Sequence, residues 1–170
     1  HQTMTKTRLL SLNTAILGVA ASLLGATRHT QAQPPGFLWA KQTSLPQNGY
    51  YDALATDANS NLYMSGSFTG TKDFDFGTGT QNKTSAGLTD GYVLKMDATG
   101  VYQWAMSIGG AAHDNVTTIT TDAAGNLYVG GALGSPTASV GTTTMTRIGS
   151  RDAYVLKLSP SGTLLWKAQV

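Results

Sequence analysis

The feature that most constrains this chain is that it repeats itself. Asp52-Ala-Leu-Ala-Thr-Asp-Ala-Asn-Ser-Asn-Leu-Tyr-Met-Ser-Gly66 matches Thr117-Thr-Ile-Thr-Thr-Asp-Ala-Ala-Gly-Asn-Leu-Tyr-Val-Gly-Gly131 at an offset of 65. Asp90-Gly-Tyr-Val-Leu-Lys-Met96 matches Asp152-Ala-Tyr-Val-Leu-Lys-Leu158 at an offset of 62. Trp39, Trp104 and Trp166 recur at spacings of 65 and 62. A period of this length marks an array of like supersecondary units, each needing its neighbours to bury its apolar faces. The two offsets place the change of length between Gly66 and Asp90, in a Gly/Thr-rich connection where insertions are tolerated.

Each copy holds four strand-like runs. In the first they are Tyr50–Asp57, Asn61–Ser67, Gly91–Met96 and Val101–Ile108; in the second, Asn115–Asp122, Asn126–Ala132, Ala153–Leu158 and Thr163–Val170. Asp97-Ala-Thr-Gly100, Asp122-Ala-Ala-Gly125 and Ser159-Pro-Ser-Gly162 carry hairpin-turn chemistry. Asp or Ser opens each turn, and Gly supplies a positive φ. No segment after Gln33 shows a sustained 3.6-residue apolar period, so no helix is expected there.

The strands are apolar on both faces. Tyr154, Leu156 and Leu158 share one face and Val155 lies on the other, while Leu164-Leu165-Trp166 starts apolar on both. Such sheets need cover on each side, which stacked propeller blades provide and a two-sheet sandwich does not. The expected fold is therefore all-β: two tandem four-stranded antiparallel blades, residues 49–108 and 109–170, of an incomplete β-propeller. Residues 33–48 hold a stray Trp-containing strand, Phe37-Leu-Trp-Ala40, of the kind that closes a ring against its last blade. The Trp104 and Trp166 strands should be outermost in their sheets, and the strands at Asp52–Asp57 and Thr117–Asp122 innermost. A seven-bladed ring at this spacing needs about 440 residues, so the chain reads as an N-terminal fragment whose partners include further blades.

Ahead of the repeats lies a leader. Met4-Thr-Lys-Thr-Arg8 is a positive start, Leu9–Ala26 is largely apolar, and Thr30-Gln-Ala32 places small residues at a cleavage site. This is the layout of a signal peptide over residues 1–32, with residues 1–3 a scar or read-through. Secretion, or display at a cell surface, is the expected localisation, with no membrane attachment after cleavage. The formal charge of +2 belongs to this leader; from Gln33 onward 8 Lys and Arg face 9 Asp. No basic face for nucleic acid follows. The absence of Cys removes a disulfide framework and a thiol nucleophile.

At this point the residues resemble a known family. The run from Asp152 to Trp166, preceded by Asp122-Ala-Ala-Gly-Asn-Leu-Tyr-Val-Gly-Gly131, is similar to the bacterial secreted β-propeller repeat often called SBBP. The resemblance covers about Phe37 to Val170. Lys72-Asp-Phe-Asp-Phe-Gly77 looks like a loop stretch of a Bacteroidetes-type variant, with Phe76 in place of a proline. The resemblance implies a secreted or surface-exposed propeller with a non-catalytic binding or scaffold role toward an extracellular protein or glycan. The alternative is a carbohydrate-active enzyme, a glycosidase or lyase, whose site needs further blades.

Single residues carry weaker signals. Asp57-Ala-Asn-Ser-Asn61 has the start of a calcium loop, but Leu62 stands where Gly is needed and the chain has no Glu. Asp73 and Asp75 could be calcium ligands or an acid/base pair, against a simple turn role. His113 beside Asp114 suggests a relay, yet relay members meet across space rather than along the chain, and no nucleophile elbow is present. No catalytic residue, metal or cofactor is therefore assigned. Trp39, Trp104 and Trp166 are read as one packing residue per blade rather than sugar platforms. Asp57, Asp122, Gly100, Gly162, Tyr92 and Tyr154 complete the structural signature of the repeat. Lys95 and Lys157 are expected to cap a blade edge or pair with a nearby Asp.

Overall fold

The computed structural model describes residues 39–40 and 50–170. The leader at 1–32 lies outside the described residues. So does the stray strand at Phe37–Lys41, apart from Trp39 and Ala40, which are not in a strand.

Among the described residues the secondary structure is all strand. The first repeat supplies β1 (Tyr50–Thr56), β2 (Leu62–Phe68), β3 (Thr71–Asp73), β4 (Asn82–Thr84), β5 (Asp90–Met96) and β6 (Tyr102–Gly110). The second supplies β7 (Asp114–Thr121), β8 (Leu127–Leu133), β9 (Thr137–Val140), β10 (Thr143–Thr146), β11 (Asp152–Leu158) and β12 (Leu164–Gln169). The four runs expected in each copy are β1, β2, β5 and β6, then β7, β8, β11 and β12. Each set pairs antiparallel in chain order.

The Gly/Thr-rich connections, expected to be loop, hold two hairpins. β3 and β4 form a separate ribbon, whereas β9 and β10 extend the first sheet to the order β1-β2-β5-β6-β9-β10. The Trp104 strand, β6, is therefore not outermost. Its second edge, away from β5, pairs at Ile108–Gly110 with Ala138–Val140 of β9. An edge with unpaired backbone groups recruits such a strand. β12 does remain outermost in its sheet, and β1 and β7 lie at the opposite edges.

Four turns share one geometry. In each, the residue opening the turn accepts at its carbonyl from the amide three residues on, as Gly100 N to Asp97 O, Gly125 N to Asp122 O and Gly162 N to Ser159 O, each 2.9 Å. The glycines sit at φ of 79°, 78° and 82°. The fourth turn, Asp57–Asn61, places Ser60 at φ 60° instead. The opening carboxylate also accepts two backbone amides, from Asn59 and Asn61, from Thr99 and Val101, and from Ala124 and Asn126. This is why Asp recurs here: its side chain completes the turn.

Packing follows the alternation of side chains. Leu127, Val129, Leu133, Tyr154, Leu156 and Leu158 of the second sheet, with Val116 and Ile119 of β7, form one buried cluster with Tyr63, Val93 and Ile108 of the first. β7 lies against β1 and β2, and Thr121 Oγ1 donates to Thr56 O at 2.8 Å. The opposite face of the first sheet buries Phe68, Tyr92, Leu94 and Met96 with Phe74, and Trp39 packs against it. Phe74 approaches Phe68 at 5.3 Å and Tyr92 at 5.0 Å between ring centroids. Both faces of the first sheet are thus covered.

Gly66 and Gly131 hold equivalent places beside these tyrosines. A Cβ on Gly66 would fall on the Tyr50 carbonyl, and one on Gly131 on the Asn115 carbonyl. The Tyr154 hydroxyl donates to that Asn115 oxygen at 2.8 Å. Only glycine lets the edge strand, its neighbour and the tyrosine ring meet so closely.

Candidate functional site

The edge strands β1 and β7 carry matching irregularities. The pairing of β1 with β2 shifts between Tyr51 and Ala53, and that of β7 with β8 between Val116 and Thr118. Asp52 and Thr117 are the extra residues, 65 positions apart in the sequence. A bulge bends a strand and re-aims its side chain. Both bulge residues line one cleft of about 640 Å³, together with Tyr50, Ser67, Thr69, Thr89, His113, Asp114, Asn115 and Arg151. The lining offers a carboxylate, a guanidinium, an imidazole, hydroxyls and an exposed phenol ring, Tyr50 being 66% exposed.

His113 is held at the cleft by its Nδ1, 2.8 Å from Thr89 Oγ1. Asp114 does not support it as a relay partner. Its carboxylate accepts from the Gly110, Gly134 and Ser135 amides at 2.8, 2.9 and 3.0 Å and from Ser135 Oγ at 2.6 Å. Asp114 is fully buried and ties β7 to the end of β6 and to the loop after β8. It is a structural anchor, which leaves Asp52 as the cleft carboxylate not committed in this way.

Asp90 and Asp152 are equivalent in sequence but not in environment. Asp152 accepts from Ile148 N, Gly149 N and Gln169 Nε2, and these bonds, the Ile148 amide first, hold its carboxyl below the usual range. Asp90 accepts from Ala86 N at 3.1 Å, and its other oxygen is buried without a partner. Burial pushes its carboxyl up, with nearby Asp114 adding to the effect. The residue equivalent to Gln169 in the first repeat is Ser107, whose side chain is too short to make the same bond.

The weak calcium candidates are occupied by their own loops. Asp57 accepts from the Asn59 and Asn61 amides, from Asn61 Nδ2 and from the Tyr63 hydroxyl. These bonds outweigh burial and keep its carboxyl low. Asp73 Oδ1 accepts from Gln81 N and Asp75 N, and the Gln81 amide above all lowers it; Asp75 Oδ1 accepts from Gly77 N. Among the described residues no group of three or more His, Asp or Glu side chains is placed to hold a metal ion.

The tryptophans make a contact between successive repeats. Trp104 Nε1 donates to Pro160 O at 3.1 Å and its indole lies over Gly162, where a Cβ would stand 3.2 Å from the ring. Trp39 Nε1 donates to Ala98 O at 3.0 Å, with its indole over Gly100. Gly100 and Gly162 thus serve twice, in the turn and under the ring. The lysines differ: Lys95 Nζ donates to Pro160 O at 3.0 Å, while Lys157 pairs with Asp122 at 3.1 Å. Asp122 is lowered to about 2, chiefly by the Asn126 side chain and further by Lys157.

The bulges, and with them the cleft, carry no sequence signal of their own. Asp52 and Thr117 could be aligned from the repeat, but Arg151 and His113 come from separate loops that only the fold brings together. Asp90 and Asp152 were visible as paired motif positions, though not their difference in partners.

No known family profile matches the chain. It is 30% identical over 126 residues to the regulatory protein FlaEY of Caulobacter vibrioides, a match spanning 74% of this chain and 13% of that protein. It is 24% identical over 110 residues to an uncharacterized WD repeat-containing protein of Acanthamoeba polyphaga mimivirus, spanning 59% of this chain and 8% of that one. The chain thus covers only a small part of either relative's length.

Proposed function

We propose that the chain is a pair of stacked β-propeller-type blades of a secreted or cell-surface protein, with a binding role exercised at the cleft beside Asp52 and Thr117. The observation that carries this is the repeated tryptophan contact, Trp39 on the turn at Gly100 and Trp104 on the turn at Gly162, the second of which joins the two sheets. Similarity to a WD repeat-containing protein supports the same reading, since WD repeats are propeller blades. In stacked blades the innermost strands converge, and the bulges aim Asp52 and Thr117 where they do. The SBBP-like motifs and the leader support a secreted setting.

The lining favours a hydroxyl-rich ligand such as a glycan. Tyr50 offers a ring face for a sugar, and Asp52, Asn115 and Arg151 offer complementary polar groups. Binding is favoured over catalysis, because a glycosidase works with two poised carboxylates. Of the two in this cleft, Asp114 is bound up in the scaffold.

A glycan array probed with the full chain tests this. Saturable binding that Tyr50→Ala and Arg151→Gln abolish without altering the thermal melt is the expected result. Release of reducing ends from a bound glycan would favour the enzyme alternative, and binding indifferent to both substitutions would refute the assignment of the cleft.

A further inference from the structure

We propose that the open face of the second sheet seats a further unit of this repeat, gripped by Lys157 and Trp166 acting as a two-donor latch on one turn carbonyl. The proposal rests on the stacked-blade reading above and adds the identity and chemistry of the next contact.

The occupied interface shows what the latch looks like closed. Lys95 Nζ and Trp104 Nε1 both donate to Pro160 O, at 3.0 and 3.1 Å. The lysine ammonium also lies 5.3 Å from the Tyr63 ring centroid, and Val93 beside it is fully buried. One repeat earlier, Trp39 takes Ala98 O in the same way. Ala98 and Pro160 are equivalent, each being the second residue of an Asp/Ser-x-x-Gly turn.

The second repeat carries the same group in the open state. Val155 and Trp166, the counterparts of Val93 and Trp104, are 42% and 44% exposed, and Leu165 beside them is 52% exposed. Lys157 has no turn to hold. It folds back instead, donating to Tyr128 OH at 2.8 Å and pairing with Asp122 Oδ2 at 3.1 Å. In the closed unit the equivalent oxygen, on Asp57, takes the Tyr63 hydroxyl at 3.0 Å while the lysine reaches outward. The equivalent lysines thus take two positions, Lys95 outward onto the neighbouring turn and Lys157 back onto its own sheet.

This geometry selects its occupant. Both donors converge on a single backbone carbonyl, and the indole needs a residue without Cβ two positions beyond it. A further repeat, with its Asp/Ser-x-x-Gly turn, supplies both. A generic apolar partner would cover Val155 and Trp166 but leave the two donors without their common acceptor, at a cost in buried polar groups.

The test joins a duplicate of residues 109–170 after Val170 of the full chain. Every tryptophan except Trp166 is replaced by Phe. Acrylamide quenching of Trp166 should fall severalfold on extension. Lys157→Met or Trp166→Phe should lower the urea midpoint of the extended chain and hardly move that of the unextended one. Shielding of Trp166 on extension, with a urea midpoint of the extended chain that neither substitution lowers, would overturn the latch while leaving the stacked-blade reading intact. Unchanged quenching, with the added unit folded by circular dichroism, would overturn both. Lys95→Met in the unextended chain tests the closed latch independently of any duplicate: a midpoint unchanged by it would also overturn the proposal.

Discussion

Trp104 Nε1 donates to the carbonyl oxygen of Pro160 across 3.1 Å, joining two repeats through a residue pair 56 positions apart. The ring packs on the core shared by the two sheets, whereas its counterpart Trp166 is 44% exposed. Trp104→Ala should therefore destabilise the chain by about 3 kcal/mol, and Trp166→Ala by less than about 1 kcal/mol. Urea unfolding of the two variants checks the difference. Equal costs would mean that the two tryptophans do not occupy a covered and an open face.

The turn residues give opposite signs. Ser60 sits at φ 60°, where its three counterparts are glycines. Ser60→Gly should stabilise by about 0.5–1 kcal/mol. Gly162→Ala should destabilise by about 2 kcal/mol, because its φ of 82° is strained for alanine and the Trp104 ring lies 3.2 Å from the new Cβ. Thermal melts of both variants give the comparison.

Asp114 is predicted to matter for folding rather than for chemistry. Asp114→Ala would take the acceptor of the Gly110 and Ser135 amides and of the Ser135 hydroxyl in a buried setting, while the Gly134 amide keeps the His113 carbonyl. A loss of about 3–5 kcal/mol is expected. His113→Ala, beside it, should change stability by less than about 1 kcal/mol, since the bond its ring makes to Thr89 is an exposed one. A stable Asp114→Ala chain would contradict the anchor role.

The pH dependence follows from carboxylates shifted in opposite directions. Asp57, Asp97, Asp122 and Asp152 are held below the unfolded value, Asp122 at about 2. Their stabilisation is full above the unfolded pKa near 3.8 and is lost as pH falls through each folded value, for Asp122 down to about 2. Asp90 runs the other way, because burial raises its pKa. Its protonated form favours folding, and that contribution, present below 3.8, is lost as pH rises through its folded value. Asp122→Asn should flatten the melting curve between pH 4 and 2. Asp90→Asn should flatten it above pH 4 and leave the chain no less stable at pH 7.

Much of this fold was legible in the sequence because it is carried by local chemistry. The Asp or Ser at each turn opening and the Gly three residues later fixed three of the hairpins, and the alternation of Tyr154, Leu156 and Leu158 gave the buried face. What escaped detection depends on distant partners. Thr137–Val140 is short and half polar, and it becomes a strand because β6 offers it an unpaired edge. Leu165 looked like part of an apolar strand face, but the register of β12 shifts there, so it is an extra residue. The cleft needed both bulges and two loops at once; of its residues only His113 and Asp114 stood out in the sequence, as a relay the fold does not form.

The central claim, that equivalent sheets stack in one direction with one face covered and the next open, is tested most directly by single-tryptophan quenching. Two variants of the chain, one retaining only Trp104 and one retaining only Trp166, are titrated with acrylamide. The account predicts that Trp104 emits further to the blue and is quenched markedly less than Trp166. Equal quenching and equal emission maxima would contradict it, because the two residues would then lie in equivalent environments.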